Sequence, residues 1–147
     1  MDKPITISQT EADAIAESAN PTEAIRTLAA TKNAISKANQ TADDLKQAAA
    51  ISDALAADTI EADHIQWDNV APAFFNAHRK ATSRQAWAQD DTTREAYALS
   101  ADTLAVFAAI ARGMAHADHP YIKWDDLAHR CHQARGQVLA LIPDETA

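Results

Sequence analysis

Residues 92–113 read TTREAYALSADTLAVFAAIARG, and this stretch decides the fold class. When successive residues are rotated by 100°, Tyr97, Leu99, Leu104, Val106, Phe107 and Ile110, with the alanines among them, point in nearly every direction, interrupted chiefly by Asp102 and Thr103. A helix that is apolar all round belongs inside a bundle. The pattern predicts a central, most buried helix over about 93–112, opened by Thr92 with Glu95 and closed near Gly113.

The same start signal, a polar cap followed by an acid, recurs along the chain. Ser8 with Glu11 opens a short helix to about residue 19, and Asn20 with Pro21 and Glu23 opens a second to about residue 39. Thr41 with Asp44 predicts a third, and Asp58 with Glu61 starts or restarts a fourth. Pro72 begins or kinks a helix that reaches about residue 88 through Phe74, Phe75, Ala77, Ala81 and Trp87. His119 and Pro120 mark a connection, after which Leu127, Cys131, Ala134, Val138 and Leu141 form the core stripe of a last helix over about 124–142. No segment alternates with period two over strand length. The expected fold is all-α, a single compact helical bundle of about six to seven helices.

Composition narrows the function classes. The chain has 147 residues, enough for one domain burying roughly 70% of the surface its unfolded form exposes. Two glycines leave no material for a Gly-rich phosphate loop. The lone Cys131 rules out an intramolecular disulfide. No cationic-then-apolar leader opens the sequence, so the expected location is cytoplasmic. The longest apolar run, 104–111, is far below the roughly 20 residues that span a bilayer, so no membrane partner is expected. A formal charge of −8 opposes direct binding to nucleic acid.

The chain is also asymmetric. Residues 1–63 contain no aromatic, histidine or glycine, while all eight aromatics and all six histidines follow. Up to Val70 there are 12 acids and 5 bases, a net of −7, and from Ala71 onward 9 acids and 8 bases, a net of −1. We read 1–63 as an acidic, Ala-rich helical part able to serve as an interaction module, and 64–147 as a helical part holding the aromatic core. The two are expected to fold as one unit.

Histidine is the residue type best supplied for chemistry. Glu61 and His64 share one helix face in the Glu-x-x-His spacing of carboxylate-bridged di-iron bundles, but the nearest second copy, Asp126 with His129, has a shorter acid. His129 lies about 160° from the core stripe of its helix and should face solvent. The i, i+3 pairs His116 with His119 and His129 with His132 would chelate a transition metal only if two helices brought them together. His78 shares a face with Phe74, Ala77 and Ala81 and reads as a boundary histidine. Cys131, within an apolar stripe, reads as a small hydrophobe. No metal and no cofactor is expected.

Arg112 is followed seven positions later by His119, an Arg-x(4–6)-His spacing in which the chain resembles the HEPN ribonuclease superfamily. The members of that superfamily are compact helical bundles. The resemblance covers these two residues, with Gly113 standing where a polar residue usually follows the arginine. It implies that Arg112 would stabilise phosphorane charge and that His119 would act on the 2′-hydroxyl or the leaving group. Without it, Arg112 is a cation at the C-terminal end of a helix. Residues 45–60 have a helix-turn-helix cast, but the would-be recognition helix carries Asp53 and Asp58 and no base, which repels DNA.

The leading expectation is therefore a non-enzymatic protein that binds another protein. An acidic inhibitor would occupy the basic, nucleic-acid-binding surface of its target, as small phage or plasmid counter-defence proteins do. Asp43, Asp44, Asp53, Asp58 and Glu61 are the expected contacts, and Arg79, Lys80 and Arg84 form a second, basic cluster able to grip an acidic partner or another copy of the chain. The alternatives are a helical-bundle enzyme, metal-dependent or HEPN-like, and a subunit of a larger assembly.

Overall fold

A computed structural model describes residues 6–116 and 122–143. Of these, 82% are helical and none lies in a strand. Five α-helices follow in order: α1 (Gln9–Glu17), α2 (Pro21–Ala56), α3 (Trp67–Ala86), α4 (Asp91–Ala115) and α5 (Trp124–Leu139), with a 3-10 turn at Ala62–His64. The all-α class holds, and the expected count of six to seven helices is corrected to five.

The count fell because two capping boxes are not helix starts. Nothing between Pro21 and Ala56 breaks a helix, so α2 runs unbroken for 36 residues. Thr41 lies inside it, buried, its hydroxyl accepting from the Arg84 guanidinium instead of capping an amide. Asp58 ends α2 and starts no α-helix. It takes the left-handed conformation, φ 56°, and the Thr59 amide reaches back to the Ala54 carbonyl at 3.0 Å in a Schellman closure. Asp tolerates that conformation better than most residues. Only the 3-10 turn follows, with Glu61 before it making no side-chain cap. The start of α4 is likewise shifted: Asp90 is its N-cap, accepting from the Thr93 amide at 2.7 Å.

The described residues divide into two compact units, Met1–Lys37 and Ala38–Ala147. In the first, the Ser8 box forms in full: the Ser8 hydroxyl accepts from the Glu11 amide at 3.2 Å and Glu11 accepts from the Ser8 amide at 3.0 Å. Glu11 also pairs with Lys32 at 3.0 Å. The Ser8 amide, and then Lys32, hold the Glu11 carboxyl below its ordinary range. Asn20 caps α2 through the Glu23 amide at 3.2 Å. No described residue of this unit is buried.

In the second unit the core stripes all repeat at three- and four-residue spacing, as helices packing side by side require. α2 contributes Ala38, Ala42, Leu45, Ala48, Ala49 and Leu55, and α3 contributes Trp67, Phe74, Ala77 and Ala81. α5 contributes Leu127, Ala128, Cys131, Ala134 and Val138. α4 buries ten residues, more than any other helix, among them Leu104 and Phe107 with no exposed surface. Phe74 and Phe107 pack with ring centroids 4.5 Å apart, and Trp67 stacks on Trp124 at 6.0 Å. The Trp67 indole N–H donates to the Ala62 carbonyl at 2.9 Å, so the ring is buried without an orphaned donor. By length and composition α4 could cross a bilayer, alone among the described helices. In this fold ten of its residues, Leu104 and Phe107 among them, are buried in the core.

Not all of the expected aromatic core is core. Phe75 is 55% exposed and Trp87, at the C-terminal end of α3, is 82% exposed. Pro72 lies inside α3, five residues after its start at Trp67, and does not begin it. The last helix ends at Leu139, three residues short of the sequence expectation.

Truncating the α4 core should be severe. Leu104→Ala or Phe107→Ala is expected to cost about 2–5 kcal/mol in urea denaturation. His129→Ala, on the exposed face of α5, should stay within about 0.5 kcal/mol. Equal effects would contradict the placement of α4.

Candidate functional site

Two surfaces of the second unit carry the residues singled out in the sequence. The first is the acidic edge around the α2–α3 junction. Between Lys46 and Arg79 the chain has five acids, Asp53, Asp58, Glu61, Asp63 and Asp68, and no lysine or arginine. All five are exposed. The stack of Trp124 on Trp67 ties the start of α5 to the start of α3, bringing the exposed Asp125 and Asp126 to this end of the unit.

Some members of this edge already have partners. His132 Nε2 donates to Asp53 Oδ2 at 2.8 Å, joining α5 to α2. His64 Nε2 lies 3.6 Å from Glu61 Oε2, both on the surface. Asp43 is exposed one turn into the α2 segment of this unit.

Asp44 differs from the other expected contacts. It is half-buried, and burial pushes its carboxyl above the ordinary range although Lys80 and Arg84 pull the other way. Arg84 donates to Gln40 Oε1 at 2.8 Å as well as to the Thr41 hydroxyl, so it stitches α3 to α2. Burial lowers its pKa, with Tyr97 and Asp44 opposing. The basic cluster is therefore divided: Arg79 and Lys80 are exposed, while Arg84 serves the fold.

The second surface is a groove of about 780 Å³ between α3 and α4. Ala71, Pro72 and Phe75 form one wall, Ala105 and Ala109 the other, and Asp68, His78, Arg112 and His116 supply its polar groups. His78 Nδ1 donates to the Ala101 carbonyl at 2.9 Å, which leaves Nε2 as the acceptor of the neutral ring. Arg112 and His116 sit one turn apart in the last turns of α4. His119, the second residue of the HEPN-like pair and one of the expected metal ligands, lies outside the described residues. Among the described residues no three His, Cys, Asp or Glu are placed to hold a metal. His129 stands exposed on α5 and His132 is engaged with Asp53.

Sequence reasoning passed over Asp63, Asp68 and Asp125 at the edge and Ala105 and Ala109 in the groove, and it named Asp126 only beside His129 and Phe75 only as a core aromatic. The edge was readable as a 32-residue interval without lysine or arginine. The groove was not, because it requires knowing which faces of α3 and α4 meet. Comparison with known protein families, curated proteins and solved structures finds no match to this chain.

Cys131 has no surface exposure, and burial pushes its thiol up to about 11, from an ordinary 9.0. The folded chain thus holds this proton more tightly than the unfolded chain does. The associated stabilisation is complete below about pH 9 and is lost as pH rises toward about 11. At pH 8 a disulfide reagent such as 5,5′-dithiobis(2-nitrobenzoate) should label Cys131 only as fast as the protein opens, and promptly in denaturant. Stoichiometric labelling of the native protein within seconds would contradict this burial.

Proposed function

We propose that this chain is a non-enzymatic protein that binds another protein and presents the acidic edge at the α2–α3 junction to a basic surface of its target. The reading rests on one observation: five consecutive charged residues, Asp53 to Asp68, are all acidic and all exposed. Carboxylates that stabilised the fold would be paired or partly buried, as Asp44 and Glu11 are. Asp63 and Asp68, and Glu61 beside the equally exposed His64, instead project charge into solvent, where it steers a cationic partner and repels polyanions. A nucleic-acid-handling protein has a basic surface of the required kind, and an acidic edge seated there would act as an inhibitor by competing with its nucleic acid.

Three of the contacts the sequence favours have structural duties that would confuse a test. Asp53 is tied to His132, Asp44 is half-buried, and Asp58 holds a left-handed turn that lysine would strain. Glu61 and Asp63 carry no such duty. A partner retained by the protein from host extract at about 0.1 M salt should be released toward 1 M, as the Debye length falls from about 10 Å to about 3 Å. Glu61→Lys with Asp63→Lys should slow association severalfold while shifting stability by less than about 0.5 kcal/mol. Unchanged binding after both reversals, dependence on Arg79 and Lys80 instead, or direct affinity for DNA or RNA at physiological salt would each contradict the proposal.

A further inference from the structure

The α3–α4 groove is built for something other than an acidic edge needs. Its volume of about 780 Å³ lies within the roughly 300–1,000 Å³ of small-molecule sites. It follows α4 from Ala105 to His116, a rise of about 16 Å at 1.5 Å per residue. The alanines on both sides keep the floor clear of bulk, and Phe75 leaves more than half of its surface in water at the rim. An apolar body laid along this floor would remove that ring from water.

The polar groups select the charge of the occupant. Arg112 is exposed, and among the described residues it has neither an ion-pair nor a hydrogen-bond partner, although Asp68 lines the same groove. A cation in the last turn of a helix offsets the helix dipole wherever it stands on the circumference. Arg112 stands on the face shared with Ala105, Ala108, Ala109 and His116, so its fork of donors is presented to whatever lies on the floor. At the far end the tautomer of His78, fixed by the Ala101 carbonyl, offers an acceptor nitrogen to a hydroxyl or amide.

We infer that the α3–α4 groove binds an apolar organic anion, an alkyl or aromatic carboxylate whose body lies on the alanine floor beside Phe75 and whose charge pairs with Arg112. This site shares Asp68 with the acidic edge, but it does not depend on the protein-binding reading. Asp68 is the like charge that the anion must tolerate, so its removal should strengthen binding and the removal of Arg112 should weaken it. A surface that merely collects apolar molecules would not show these opposite signs.

The test is a fluorescence titration of the full chain with 8-anilinonaphthalene-1-sulfonate, an aromatic anion, followed by displacement with dodecanoate. Saturable binding at one site, reversed by dodecanoate, is expected. Arg112→Gln should weaken it about tenfold, the effect of losing one charge-assisted contact, and Asp68→Asn should tighten it. Ala109→Leu fills the floor from an exposed helical position that accepts leucine, so it should abolish binding with the circular dichroism spectrum unchanged. The inference is overturned by non-saturable fluorescence, by indifference to both Ala109→Leu and Arg112→Gln, or by equal affinity for the uncharged probe Nile red.

Discussion

The enclosure of α4 is the constraint from which the rest of the second unit follows. A helix apolar in nearly every direction cannot be satisfied by one neighbour, and here the stripes of α2, α3 and α5 all supply residues to the core around it. Twelve of the 23 buried apolar residues among those described are alanine, a side chain small enough to let helices approach closely. Alanine also buries little surface. The transfer free energy is therefore concentrated in a few large side chains, Leu45, Leu104, Phe107 and Val138, all without exposed surface.

Close packing leaves little room for polar groups, and among the described residues three of the four buried hydroxyls find a partner while that of Thr103 has none. Ser52 and Ser100 return their hydroxyls to the Ala48 and Ala96 carbonyls one turn back, at 2.8 and 2.9 Å. Thr41 is satisfied from outside its helix, by Arg84. That contact explains why the positive and negative residues of the sequence do not simply form two opposed docking patches. Part of each set, Arg84 with Asp44, is drawn half-buried between α2 and α3, while the remaining acids stay in solvent. The proposed acidic edge is what remains of the charge after the fold has used its share.

What was legible in the sequence divides along the same line. Periodicity located α4 and the α5 stripe because their buried faces join one apolar cluster, and the Ser8 box was read correctly because α1 starts beside it. Thr41 and Asp58 misled because a capping residue is ambiguous in isolation. Whether Thr41 faces an amide or the guanidinium of Arg84, 43 residues on, is settled by tertiary packing. Asp58 suits a helix end as well as a start, since a short polar side chain tolerates the left-handed turn. Phe75 and Trp87 were placed inside by their residue type, whereas α3 turns both outward. The acids of the edge could be seen in the sequence, but their exposure could not. The groove was hidden entirely, because it is a property of two helices meeting.

The two units differ in the one respect this account makes decisive: Ala38–Ala147 encloses α4, and the described residues of Met1–Lys37 bury no side chain. Native-state hydrogen exchange reads that difference amide by amide. If enclosure of α4 carries the stability, amides of 104–111 should exchange only through global unfolding, while those of α1 exchange through local opening at a far smaller free energy. Equal protection of α1 and α4, or rapid exchange in the middle of α4, would contradict the account.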